Sequence, residues 1–319
     1  LPIWLLIEIQ EEQQPLLNPK ILTHLALFIV ALIYGLNFII AKHVLDDGYL
    51  SPFQFILLRV AAGAILFWVF FSWLIKERID WRDVPYLFLC AVFGAAINQL
   101  SFFEGLKYTT PIHASLLMTL VPILVLLASR VILSEKITIR KMMGIGCGLA
   151  GAVYLIQSGH SVSINNTIVK GDLYVMVNVT TYGLYLVLIK KMISKYNPIT
   201  VVTWLFTFGL LIVFPFGWQG MTEVNWSGFP SEIWWAIAYV LIGTTFLTYL
   251  LNAYALSRVQ PSTVSIYIYL QPLIASVAAV LINNENFGIE KWVSGLLIFI
   301  GVYFVSFTPK KILEIKEKL

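Results

Sequence analysis

At 319 residues the chain is long enough for about two ordinary domains, yet 59% of it is hydrophobic, 12% is charged and the mean hydropathy is +0.84. That balance excludes a soluble globular protein, which would expose too much apolar surface to water. The net charge of +4 is modest, and its distribution along the chain says more than its sum; no basic cluster suits nucleic acid.

The first twenty residues open on LPIWLLI, short for a signal core and with no basic residue before it, and then turn polar in EIQEEQQP. They read as an N-terminal tail or an interfacial segment. Apolar runs then follow one another at 21–43, 52–74, 84–106, 111–133 and 140–157, and again at 170–192, 199–218, 233–254, 262–282 and 290–307. Each is close to the roughly 20 residues that cross a ~30 Å hydrocarbon core. Short breaks such as DDGYLSP, SKYNP and INNENFG separate them, and none could hold a soluble domain. Cys90 and Cys147 both fall inside apolar runs and read as packing residues, not as a disulfide or metal pair.

The basic residues sort by side. Lys76, Arg78, Arg82, Arg130, Lys136, Arg140, Lys141, Lys190, Lys191, Lys195, Arg258 and the tail lysines from Lys310 onward occupy alternate breaks. The other breaks hold only Lys42, Lys107, Lys170 and Lys291. Basic residues mark the cytoplasmic side, so both termini are expected there, in a multi-pass protein of the inner (plasma) membrane.

The chain also repeats itself. GLKYTTPIHASLLMTLVP at 105–122 is echoed by ALSRVQPSTVSIYIYLQP at 255–272, which aligns Pro111 with Pro261, Ser115 with Ser265 and Pro122 with Pro272. Further on, Glu135 aligns with Glu285, Lys141 with Lys291 and Gly151 with Gly301. An odd number of spans per copy forces the copies to enter the membrane in opposite directions. The expected fold is therefore all-α, with ten transmembrane helices as two inverted five-helix repeats, a plan used by secondary transporters. The repeats would span 21–157 and 170–308, with a basic cytoplasmic tail at 309–319.

These paired stretches, FFEGLKYTTPIHASLLMTLVP with its continuation to GCGLAGAVYLI and their second-half echo, resemble the EamA-type members of the drug/metabolite transporter superfamily. The resemblance runs over most of the chain. It implies a basket in which spans one to four and six to nine line a central cavity while spans five and ten buttress it. It also implies a role in moving small metabolites, amino acids among them, or, in other branches, drugs or nucleotide sugars.

Residues that could contact a solute are polar or aromatic groups at membrane depth. Arg59 lies about seven residues, or ~10 Å, from the outer end of the second span. An arginine there must be paired or hydrated, and Glu104 near the outer end of the third span is a candidate partner, for a gate, a zwitterion site or a fixed salt bridge. Asn37, Asn98, Gln99, Asn252 and Gln271 are intramembrane amides, each either glue between helices or a solute ligand. Tyr182, Tyr185, Trp204, Tyr249 and Tyr267 offer ring faces, as packing or as cavity wall. Pro122 and Pro272 would kink their helices and free carbonyls near Met118 and Ile268. His113 reads as a polar cap. Glu135 and Glu285 read as helix-end or ion-pairing groups. GIGCGLAG at 144–151 lacks the Lys-Ser/Thr ending of a phosphate loop and reads as a close-packing seam.

No H-E-x-x-H or G-x-S-x-G motif is present. The paired carboxylates of an intramembrane enzyme are also missing, so catalysis, cofactors and metals are not expected, and a non-transporting receptor fits the duplication poorly. The expected partners are a small-molecule solute and the bilayer, around a monomer or weak dimer.

Overall fold

Several helix starts are written into the sequence as a capping residue followed by proline. Ser51 accepts from the Gln54 amide while the Gln54 side chain accepts from the Ser51 amide at 2.8 Å, and Pro52 follows at the first helical position. Asn197 Oδ1 likewise accepts from the Ile199 amide at 3.0 Å ahead of Pro198. The structure, a computed structural model, describes residues 19–46, 48–75, 77–109, 114, 117–159, 166–218, 220–283 and 288–306. Within them run α1 (Pro19–Asp46), α2 (Pro52–Leu74), α3 (Trp81–Tyr108), α4 (Val121–Ile132) and α5 (Ile139–Gly159). There follow α6 (Asn166–Ile193), α7 (Pro198–Gly217), α8 (Ser231–Arg258), α9 (Pro261–Ser265, a 3₁₀ turn Ile266–Tyr269, then Leu270–Asn283) and α10 (Ile289–Ser306).

Among the described residues, six helices are long and apolar enough to cross a membrane: those of α1, α2, α3, α6, α7 and α8. Large apolar side chains such as Trp73, Val131, Trp235 and Leu296 face outward, as a lipid-facing surface requires. The protein is an all-α, multi-span membrane protein. The N-terminal stretch 1–18, the C-terminal tail 309–319, His113 and Glu285 lie outside the described residues. The first helix begins at Pro19, two residues inside the expected tail.

The helix pairings have an internal symmetry. α1 packs on α9 and α8, while α6 packs on α4 and α3; α2 packs on α7, and α5 on α10. Replacing each helix by the one five places along turns this pattern into itself. The α5–α10 pair meets through the glycine run: a Cβ on Gly144 would lie 2.8 Å from the Gly301 carbonyl oxygen, and one on Gly301 would lie 2.6 Å from that of Gly144.

Two features depart from simple helices. α3 and α8 each contain a π-helical stretch, Val92–Ile97 and Tyr239–Leu247, flanked on both sides by regular helix. Pro122 and Pro272 do not bend an intact helix. Each falls in the first turn of a newly started segment, after a turn at Thr119–Leu120 and after the 3₁₀ stretch respectively, where a missing N–H costs nothing. The Ile268 carbonyl, expected to be free, accepts from the Leu270 amide.

Candidate functional site

A cavity of about 70 Å³ lies between α1, α2, α3, α6, α8 and α9. At ~15 Å³ per water it has room for about five waters. Of the residues marked in the sequence, Asn37, Arg59, Asn98, Gln99, Tyr182, Tyr249 and Gln271 line it. Six helices thus send seven of the expected groups to one hollow.

Among the described residues, Arg59 is the only charged one that lines it. The side chain is 5% exposed. Its Nε donates to Thr245 Oγ1 at 3.0 Å, and one Nη donates to the Thr244 carbonyl at 3.4 Å. Both partners belong to the π stretch of α8. The guanidinium also sits 5.3 Å from the centre of the Phe103 ring. No ion pair to Glu104 forms among the described residues: Glu104 is only half-buried and does not line the cavity. The reason is topological, since the widened turn of α8 supplies the acceptors that a carboxylate was expected to supply.

The amides are held from both sides. Asn98 Nδ2 donates to the Asn178 carbonyl at 3.2 Å, and Asn178 Nδ2 donates back to the Asn98 carbonyl at 2.8 Å, which ties α3 to α6. Tyr249 donates its hydroxyl proton to the Gly94 carbonyl at 3.0 Å, inside the π stretch of α3, and accepts from Gln99 Nε2 at 3.1 Å. π-bulges often occur at functional sites. Here both serve the same hollow, one by holding Arg59 and the other by holding Tyr249.

The remaining candidates lie elsewhere. Tyr185 stands behind the wall, its ring 6.1 Å from that of Tyr182 and 6.2 Å from that of Tyr249. Trp204 packs with Phe208 and Trp68 on the α2–α7 pair. Asn252 is buried but does not line the cavity. The Tyr267 hydroxyl shares a 2.8 Å hydrogen bond with His24 Nδ1. Glu135 pairs with Lys141 and accepts from Ser262, the ion-pairing role expected of it.

Among the described residues, Tyr34, Phe102, Phe103 and Asn178 also line the cavity and sequence reasoning missed them; Met118, marked only for its carbonyl, lines it too. One signal was present for Tyr34: Tyr34-Gly35-Leu36 in α1 recurs as Tyr182-Gly183-Leu184 in α6, so the two tyrosines are repeat partners. Phe102 and Phe103 sit a turn beyond Asn98 and Gln99 on the same helix.

The model of the EamA-like transporter family matches the chain twice, over 21–157 and 169–307. The chain belongs to the EamA-like transporter family. An uncharacterized transporter of Archaeoglobus fulgidus is 27% identical over 85% of this chain and 94% of its own length. The uncharacterized transporter YyaM of Bacillus subtilis is 26% identical over 89% and 94%. The uncharacterized inner membrane transporter YicL of Salmonella typhimurium is 25% identical over 90% and 96%. A crystal structure of a protein 18% identical in sequence superposes with a TM-score of 0.72 over 89% of this chain and 98% of that one, a likeness of fold. This EamA-like protein is therefore a secondary membrane transporter and not an enzyme.

Proposed function

We propose that this transporter exports small amphiphilic metabolites, amino acids among them, by alternating access around the Arg59 cavity. In this reading all ten helices span the bilayer as two inverted repeats, 21–157 and 170–308, with both termini cytoplasmic. The observation that carries it is the exchange symmetry of the helix pairings, with a hollow between the halves lined by Arg59, side-chain amides and aromatic rings. Gln99 and Tyr249 occupy equivalent places on α3 and α8 and touch each other, as residues beside a two-fold axis do.

The ties between the halves support the mechanism. On the basic side, Asp83 bonds to Lys195 and Tyr196, the Asn197 amide donates to Glu77 at 3.0 Å, and Ser262 donates to Glu135. Each joins a first-half residue to a second-half one. These bonds close the cytoplasmic entrance, and opening it exchanges them for solvent. The Asp83–Lys195 and Glu77–Asn197 bonds are exposed and cheap to exchange, which suits a gate. Among the described residues the lining holds a single cation, which fits a carboxylate better than the diphosphate of a nucleotide sugar.

Counterflow in proteoliposomes tests this. Vesicles preloaded with an unlabelled amino acid should accumulate the same labelled amino acid transiently for at least one of the twenty; failure of all twenty refutes amino-acid export.

A further inference from the structure

We infer that the cavity is a zwitterion site, with a carboxylate held by Arg59 and an ammonium held by the side-chain oxygens of Gln99 and Asn178. The inference rests on the transport reading above and gives that site its ligand chemistry.

The anionic half follows from donors left over. A guanidinium has five N–H groups in a planar fork matched to a carboxylate. Protein groups take two of Arg59's, and both partners are neutral oxygens. Among the described residues no acid lines the cavity, so none there serves the buried charge as counter-ion. A buried cation in a membrane protein calls for one.

The cationic half follows from acceptors left over. Gln99 Oε1 and Asn178 Oδ1 are buried and have no hydrogen-bond partner. Which end of each amide is the oxygen is fixed by the bonding around it. The Gly94 carbonyl can only accept, so the Tyr249 hydroxyl must donate to it, and the Gln99 end facing Tyr249 must be the donor Nε2. The Asn98 carbonyl, likewise, can only accept, so the Asn178 end facing it is Nδ2. Both oxygens are therefore true orphans, and buried acceptors of this kind are rare in native proteins. Gln99 and Asn178 line the hollow together with Tyr34, Tyr182 and Phe102, whose ring faces are also electronegative. Orphan oxygens and ring faces together suit a cation better than a neutral hydroxyl.

Both ends border one hollow of about 70 Å³. Arg59 lies over Phe103, one helical turn, or ~5.4 Å, beyond Gln99 on α3. A group with its carboxylate and ammonium on one carbon can bridge that gap.

The test takes the amino acid that moves fastest in counterflow and sets it against three matched competitors. One lacks the carboxylate (the amine), one lacks the ammonium (the plain acid) and one carries a hydroxyl in its place (the 2-hydroxy acid). Each should need at least tenfold more for half-inhibition than the amino acid itself. Arg59→Gln should abolish the advantage of the amino acid over the amine, while Arg59→Lys, which keeps the charge, should restore part of it. Asn178→Leu and Gln99→Met should abolish its advantage over the plain acid. These rankings are ratios within one preparation, so a lower yield of folded variant does not move them. A hydroxy acid or plain acid competing as well as the amino acid overturns the ammonium site while amino-acid transport stands. An unchanged ranking in Arg59→Gln overturns the carboxylate site in the same way. Export of some other solute with no amino acid moving would overturn the amino-acid reading on which the site rests.

Discussion

The α5–α10 seam allows a controlled experiment with three glycines. A Cβ on Gly301 would lie 2.6 Å from the Gly144 carbonyl oxygen, so the helices must part by about 0.8 Å to reach the 3.4 Å of ordinary contact. Gly144→Ala meets the Gly301 oxygen at 2.8 Å in the mirror-image way. Overpacking of this kind costs about 1–3 kcal/mol, against which alanine returns up to about 1 kcal/mol of helix propensity. Gly146 lies on the same helix between them in sequence, and a Cβ there meets nothing within 4 Å. Gly144→Ala and Gly301→Ala should each lower stability by about 1–2 kcal/mol, whereas Gly146→Ala should be neutral or stabilising. The double variant should cost less than the sum of the two, because the first substitution already parts the helices. Denaturant unfolding in detergent micelles reads all four. Equal effects at 144, 146 and 301 would refute the close-packed seam.

Glu135→Ala removes the partner of Lys141, whose side chain is 18% exposed against 4% for Glu135, and the acceptor of Ser262. It should destabilise the detergent-solubilised protein by about 3 kcal/mol, measured by the same unfolding assay. Tyr249→Phe strips the Gly94 carbonyl of its donor and Gln99 Nε2 of its acceptor; a cost of about 1–3 kcal/mol is expected, together with slower counterflow. Asp83→Asn weakens the tie to Lys195 and Tyr196. It should leave stability nearly unchanged and raise the cytoplasmic reactivity of a cysteine placed in the cavity.

The membrane class, most helix boundaries and the duplication were legible because each leaves a linear trace. Pro52 and Pro198 announce helix starts, and the run from Gly144 to Gly151 announces a seam. The sequence marked Asn37, Arg59, Asn98, Gln99, Tyr182, Tyr249 and Gln271 as groups that must find each other or a ligand at membrane depth, but not that these seven, and not Glu104, Trp204 or Asn252, line one hollow. The partner of Arg59 was not legible either. A sequence offers Glu104 as the nearby acid, whereas the structure uses a carbonyl and a threonine of a π stretch, and no residue pattern in Tyr239–Leu247 advertises that widening. Asn178 escaped notice because it sits among apolar neighbours with no repeat partner of its type. Trp204 and Tyr267 were marked for their chemistry, but the helix face each occupies is decided by packing with Trp68 and His24, which lie far away in sequence.

The central claim is that one cavity serves both sides of the membrane. Asn37→Cys, in a background free of Cys90 and Cys147, places a thiol in its wall. Impermeant thiol reagents are then added from outside intact cells, and separately from the cytoplasmic face of inverted vesicles. Alternating access predicts labelling from both faces, with a transported solute protecting in each case. Labelling from one face alone, whatever solute is present, would contradict it.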